Sequence, residues 1–308
     1  MKNCPCSKSN LYFFKKVRFR KKVGKLGKYT DIYKCDCMSM FAFSNKKNFS
    51  YFENDKYRSD TDPNSNLIFK KKSKKNNSIL KITNENKYYC NSINDHLLHY
   101  QTLNNFSYFK NKNVLEFGCG SGGFLKLISS QSNIVAGIEP SKFFRKLNKK
   151  IGNKFHIYKD LNQFNFYNNT KFDIITCFSS IEHIWDINRL FTNINKVLNK
   201  NGYLILGCIN ANDYRLNNKK YLNIFFRESY TNYFTHNCLI QILKKHNFKL
   251  NSLVYKERYD FDNYLKFPVK KKKILKKNQI INFKKDYKYI LEKNGISDYM
   301  YLVFQKKN

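Results

Sequence analysis

The chain has 308 residues, of which 42% are hydrophobic and 17% aromatic. That is enough apolar material for a sizeable core, so wholesale disorder is excluded. The formal net charge is +36, with Lys outnumbering Arg 50 to 8. Nucleic-acid readers lean on the bidentate guanidinium, so the surplus points first to codon composition and second to an RNA partner.

Residues 1–75 read as a basic, aromatic and irregular lobe, with no acid between Phe14 and Lys28. Two close cysteine pairs stand in it, Cys4-Pro-Cys6 and Cys35-Asp-Cys37. Nine cysteines is an odd number. MKNCPCSKSN lacks the apolar stretch of a secretory signal, so a cytoplasmic protein without a disulfide framework is expected. No apolar run approaches the roughly 18 residues of a membrane-spanning helix. DPNSN at 62–66 and KKKSKKNNS at 70–78 read as linker. Residues 93–110 carry Leu97, Leu98, Leu103 and Phe106 at helical spacing.

From residue 90 onward a second domain is expected. Strands are predicted at Val114–Phe117, Ile134–Ile138, Phe155–Tyr158, Phe172–Phe178, Tyr203–Ile209, Phe248–Tyr255 and Tyr299–Phe304. Helices alternate with them. One follows Asp186, with apolar positions at Ile187, Leu190, Phe191, Ile194, Val197 and Leu198, and ends at Asn201-Gly202. Another covers Cys238–His246. Repeated β-α units predict an α/β fold with a doubly wound, mostly parallel seven-stranded sheet.

The informative run is Val114-Leu115-Glu116-Phe117-Gly118-Cys119-Gly120-Ser121-Gly122-Gly123. A strand enters a tight turn and a helix leaves it. Glycines there let a ligand approach the backbone. The second strand ends in Ile138-Glu139, where a carboxylate can accept two hydrogen bonds from a ribose diol. The glycines also fit a dinucleotide pattern. Glu116 argues against it, because a carboxylate two residues before the first glycine repels a pyrophosphate and suits a ligand carrying an amino group.

Three motifs in order carry a family resemblance: Glu116-x-Gly118-x-Gly120-x-Gly122, then Gly137-Ile138-Glu139-Pro140-Ser141, then Phe172-Asp173-Ile174-Ile175. They resemble the class I S-adenosylmethionine-dependent methyltransferases over residues 90–308. The resemblance implies that Glu116, Gly118, Cys119, Gly120 and Gly122 hold the methionine end of the cofactor. It places Glu139 and Pro140 at the ribose, Asp160-Leu161 near the adenine, and Phe178 and Ser179 beside the reactive side.

Ser180-Ile181-Glu182-His183 resembles a segment of small-molecule methyltransferases, including quinone O-methyltransferases and sugar-modifying enzymes. It implies His183 as a base, or Glu182 and His183 as loop anchors. Asn210-Ala211-Asn212-Asp213 resembles a segment of a bacterial subgroup found among sugar and surface-polysaccharide genes. There Asp213 either faces the acceptor or caps the next turn. Glu257-Arg258-Tyr259-Asp260-Phe261-Asp262-Asn263-Tyr264-Leu265 and Ile296-Ser297-Asp298 resemble later segments of that subgroup. Its members often begin with a four-cysteine zinc ribbon. Cys4, Cys6, Cys35 and Cys37 resemble that ribbon with one residue inside each pair, either holding structural zinc or decayed and metal-free.

The expected activity is methyl transfer from S-adenosylmethionine to a small-molecule acceptor: a sugar, sugar nucleotide or glycan precursor. RNA methylation, with the basic N-terminal segment as grip, is the alternative enzyme. A non-catalytic binding protein that kept the nucleotide fold is the alternative outside enzymes.

Overall fold

The computed structural model describes residues 4–6, 10–23, 27–43, 49–53, 95–103, 108–150, 155–167, 170–218, 221–222, 225–259 and 286–307. The predicted linker at 62–78, the boundary near 75–90 and the segment Asp260–Leu265 lie outside the described residues. Contacts divide the chain into two compact units. One comprises residues 1–46, 181–188 and 206–304; the other comprises 47–180, 189–205 and 305–308.

The main sheet has seven strands in the order β10-β11-β8-β7-β4-β5-β6. They are β4 (Asn113–Phe117), β5 (Ile134–Ile138), β6 (His156–Tyr158), β7 (Phe172–Phe178), β8 (Leu198–Ile209), β10 (Phe248–Lys256) and β11 (Tyr299–Lys306). β4 pairs in parallel with β5 and β7, and β5 with β6. Helix α1 is Phe49–Glu53, and the helices between these strands are α2 (Gly123–Ile128), α3 (Lys142–Lys150), α4 (Leu161–Tyr167) and α5 (Ile187–Val197). Residues 95–103 are helical as well. Central strands here read as continuous apolar runs because they are buried on both faces. Leu115, Phe124, Ile128, Phe172 and Ile175 are all completely buried. Burial of each such side chain stabilises by roughly 1.5–3 kcal/mol.

Register positions the site. Glu116 of β4 lies opposite Gly137 of β5 and Thr176 of β7. The carboxylate therefore stands at the middle of the sheet, close to where the strands end.

Two expectations are corrected. The helix after Asp186 stops at Val197, and Leu198 opens β8 instead of closing the helix. Apolar spacing continues through Leu198, so periodicity alone does not mark the end. Lys306 does: its Nζ donates to the Asn195 carbonyl at 2.6 Å and the Leu198 carbonyl at 3.0 Å. It satisfies acceptors that a longer helix would use internally. Second, much of the N-terminal segment is regular. Strands β1 (Tyr12–Val23), β2 (Gly27–Lys34), β3 (Met40–Phe41) and β9 (Asn232–Tyr233) form a small antiparallel sheet in that order. Val17 pairs with Thr30; Val17 is buried between the exposed Lys16 and Arg18, and Thr30 between the exposed Tyr29 and the half-buried Asp31. That is the two-residue period of a half-buried hairpin. Phe41 meets Phe234 edge-on at 6.1 Å. Tyr233 packs against Phe226 at 4.9 Å and Phe225 at 5.3 Å, giving this sheet an aromatic core.

Candidate active site

The glycine loop, Glu116 and Glu139 all belong to the unit built on residues 47–180, and they form one cradle. Gly120 donates its N–H to Glu139 Oε2 at 2.9 Å, and Ser141 donates its own to Glu139 Oε1 at 2.8 Å. Gly118 and Gly120 take φ of +71° and +55°, the left-handed region that favours glycine. A β-carbon on Gly118 would lie 2.0 Å from Ser180 Oγ. At Gly120 it would meet nothing within 4 Å among the described atoms. The loop is closed against the chain at Gly118 and open at Gly120, where a ligand can lie on bare backbone.

Glu116 is buried, and its Oε2 has no hydrogen-bond partner among the described residues. Burial first, and the Glu139 carboxylate second, push its pKa from 4.5 up to about 8. An incoming ammonium group would relieve both effects. This is the observation that fits S-adenosylmethionine to the chain. Cys119 is buried beside these acids, and burial lifts its thiol pKa well above the ordinary value. Gly122 caps α2. Pro140 gives its carbonyl to Arg145 Nη1 at 2.5 Å, and the same nitrogen donates to the Glu139 carbonyl at 2.7 Å. Asp160 accepts the Gln163 N–H at 2.8 Å, so it caps α4 directly before Leu161.

Phe178 ends β7, and Ser179 follows with φ of +47°. Two histidines missed by sequence reasoning stand here, both on the helical run 95–103. His99 stacks on Phe178 with centroids 4.4 Å apart and planes 19° apart. The His96 ring lies where a β-carbon on Gly123 would be, 2.3 Å from its Cδ2. Its Nδ1 is buried without a partner among the described residues, and burial lowers its pKa. The three-residue spacing of His96 and His99 was the available signal.

His183 and Asp213 belong to the other unit. His183 closes a 3₁₀ turn, Ile181–His183, at which Asn232 Nδ2 donates to the carbonyls of Ile181 at 3.2 Å and Ile184 at 2.5 Å. Its Nδ1 lies 3.0 Å from the Ser229 carbonyl. A carbonyl only accepts, so Nδ1 carries the proton and Nε2 the basic lone pair. Glu182 is buried; Oε1 accepts the Ile209 N–H at 3.0 Å, and burial raises its pKa. Glu182 thereby ties the turn to the end of β8.

Asp213 sits at the N-cap of the 3₁₀ turn Tyr214–Asn217 and accepts the Arg215 N–H at 3.0 Å. It also takes Arg215 Nε at 2.9 Å, Arg215 Nη2 at 2.9 Å and the Tyr221 hydroxyl at 2.8 Å. On its far side Arg215 reaches Glu257 Oε1 at 3.0 Å. Burial raises the Glu257 pKa to about 7 against the pull of Arg215. Asp213 is thus saturated by a buried ion network that holds the segment after β8. Arg258 is fixed similarly, with Nε 2.6 Å from Asp298 Oδ2 and its guanidinium 4.1 Å over the Tyr299 ring.

The four N-terminal cysteines converge. The sulfurs of Cys4, Cys6, Cys35 and Cys37 all lie within 4.8 Å of one another. Cys4 and Cys37 are 3.8 Å apart, Cys6 and Cys35 3.9 Å, and the paired Cys4 and Cys6 2.9 Å. Four thiolates at about 2.3 Å from a tetrahedral ion stand roughly 3.8 Å apart. The Cys37 N–H donates to Cys35 Sγ at 3.5 Å, as suits a thiolate.

A methyltransferase-domain family model matches residues 90–253, just over half of the chain. The ubiquinone biosynthesis O-methyltransferase of Pasteurella multocida is 29% identical over 113 residues, 32% of this chain and 47% of that protein. The Coxiella burnetii protein of the same name is 29% identical over 107 residues, 33% of this chain and 46% of its own. The chain therefore matches about half the length of these curated relatives. Magnesium protoporphyrin IX methyltransferase from Synechocystis, solved with bound SAH, superposes with a TM-score of 0.50 at 13% identity, covering 84% of this chain and 97% of that one. At that identity the likeness speaks for the fold. No helix among the described residues is long and apolar enough to cross a membrane. With the family model, the sheet order and the glutamate–glycine cradle in agreement, the chain belongs to the methyltransferase-domain family.

Proposed function

We propose that the chain methylates a small-molecule acceptor, specifically a sugar, sugar nucleotide or glycan precursor. The observation that carries the methyl-donor half is Glu116, a buried carboxylate whose Oε2 has no partner among the described residues, at the end of the strand that leads into the glycine loop. Glu116 takes the amino group of the cofactor, and Glu139 takes its ribose hydroxyls. Asp160 and Leu161 border the adenine, and Phe178 and Ser179 border the reactive end. The bound cofactor supplies a methyl group already activated by its sulfonium. The chain's main tasks are then to orient the acceptor and exclude water. For a hydroxyl acceptor, His183 Nε2 receives the proton, its tautomer fixed by the Ser229 carbonyl. Asp213 holds Arg215 in place and keeps the acceptor-side loop rigid.

The names of the curated relatives support a small hydroxyl-bearing acceptor. The segments around Asp213, Arg258 and Asp298 support the sugar class by resemblance. A screen of sugar nucleotides and quinol-like phenols, read by S-adenosylhomocysteine release, tests this. Turnover on a sugar nucleotide supports the reading, and turnover on phenols alone overturns the sugar class.

Cys4, Cys6, Cys35 and Cys37 are proposed to hold structural zinc, on the strength of the sulfur separations. Emission spectroscopy showing one zinc per purified chain supports this; a well-folded chain that takes up no zinc overturns it.

A further inference from the structure

A short segment, Arg227 to Thr231, is tied to the turn that carries His183, and both belong to one compact unit. The Thr231 N–H donates to the Glu182 carbonyl at 2.8 Å, and the Thr231 hydroxyl donates to the same carbonyl at 3.2 Å. The Ser229 carbonyl meets His183 Nδ1 at 3.0 Å. The Tyr230 N–H donates to the Arg227 carbonyl at 3.1 Å. The buried Tyr233 braces the start of the segment: its hydroxyl accepts the Arg227 N–H at 2.9 Å and donates to the Arg227 carbonyl at 3.3 Å. All three bonds hold Arg227 by its backbone.

Arg227 is exposed, and its guanidinium lies over the buried Tyr230 ring, with Cζ 5.4 Å from the ring centre. The half-buried His183 ring meets the same tyrosine edge-on, with centres 4.8 Å apart and planes 83° apart. One aromatic ring therefore sets the position of both the base and a cation. A guanidinium with its face on a ring keeps its N–H donors in its own plane, the geometry that a phosphate or carboxylate accepts in pairs. Composition sharpens the point. Lysine fills 50 of the 58 basic positions, so a cation wanted only for charge would be a lysine here. The buried Arg215 bridges two carboxylates and Arg258 combines a carboxylate with a ring, both uses that need the planar fork.

We propose that Arg227 binds an oxyanion of the acceptor, a phosphate or a carboxylate, beside His183. This rests on the hydroxyl-acceptor reading above and narrows it: the acceptor carries a negative charge close to the hydroxyl that is methylated. Arg227 then sets specificity and orientation, and no proton moves at its guanidinium.

Trp185 is the one tryptophan of the chain and is exposed two residues beyond His183, so its fluorescence reports an occupant of this turn. The test is titration of the full chain, with S-adenosylhomocysteine present, by uridine diphosphate glucose, glucose 1-phosphate, glucuronate and methyl glucoside. Wild type is compared with Arg227→Gln, Arg227→Lys and Lys249→Gln. Lys249 is exposed on the edge strand β10 and controls for general attraction by the net charge. The expected result is that Arg227→Gln weakens the charged probes by about 10- to 100-fold, and that Arg227→Lys, a point charge without the fork, restores only part of the loss. Lys249→Gln should match wild type, and methyl glucoside should bind weakly and equally to every variant. Preference for the phosphorylated probes or for glucuronate assigns the oxyanion. Undiminished binding of the charged probes by Arg227→Gln would overturn the proposal and leave the hydroxyl-acceptor reading standing. So would a wild type that binds them no better than methyl glucoside. Loss of the charged probes in Arg227→Gln, with a wild-type kcat in His183→Gln, would support the anion site and overturn His183 as the base.

Discussion

The Gly120 N–H and Glu139 Oε2 are 2.9 Å apart, so the turn after one strand is bonded to the end of the next. The bond joins the two motifs that lie 19 residues apart into one cradle. It also orients the Glu139 carboxylate before any ligand arrives, which lowers the ordering cost of binding.

The two loop glycines separate stability from binding. Gly118→Ala forces a β-carbon onto Ser180 Oγ at a positive φ. It should lower the melting temperature and weaken cofactor binding together. Gly120→Ala meets no described atom, so its stability cost is the left-handed strain of roughly 1–2 kcal/mol. Its methyl group enters the open face, so cofactor affinity should fall further than stability does. Thermal denaturation beside calorimetric titration measures both; equal losses in the two variants would contradict the cradle.

Glu116 makes the chain pH-sensitive. Its folded pKa of about 8 lies above the ordinary 4.5. Between those values the folded chain holds a proton that the unfolded chain has released. The contribution of Glu116 to stability is therefore full below about pH 4.5 and declines as pH rises toward 8. Glu116→Gln should flatten that decline in thermal melts of the ligand-free protein. Binding an ammonium group requires the ionised carboxylate. Cofactor affinity should accordingly rise with pH, up to about tenfold per unit, until about pH 8. A pH-independent affinity that Glu116→Gln leaves unchanged would contradict the role of Glu116.

Arg215 is buried between Asp213 and Glu257. Arg215→Met leaves both acids buried without their cation and should destabilise by roughly 3–5 kcal/mol. Denaturant unfolding measures this, and a loss below about 1 kcal/mol would show that the network is dispensable.

His183→Gln should lower kcat on a hydroxyl acceptor by about 10²–10⁴-fold. The cofactor dissociation constant should stay at the wild-type value. A wild-type kcat in this variant would leave His183 with only its anchoring bond to Ser229.

The parts legible in the sequence were those with local periodicity. Glu116, the glycines and Glu139 follow from strand–turn–helix order, and the strands of the main sheet follow from short apolar runs between turns. What was illegible depends on partners far along the chain. Arg215 and Glu257 are 42 positions apart, and neither lies in an apolar pattern. The hairpin of β1 and β2 hides under a lysine-rich composition, because among its described side chains Val17, Thr30 and Ile32 are the buried ones. The end of α5 is set by Lys306, from the last strand.

The central claim is that Glu139 and the glycine loop bind S-adenosylmethionine. Calorimetric titration of the wild-type chain and Glu139→Ala tests it most directly. Each hydrogen bond to a charged group contributes roughly 1.5–3 kcal/mol, so losing the carboxylate should weaken binding at least about tenfold. Saturable binding by wild type, lost or strongly weakened in Glu139→Ala, is the predicted result. A folded wild-type chain that binds no S-adenosylmethionine, or a variant that binds it equally well, would contradict the account.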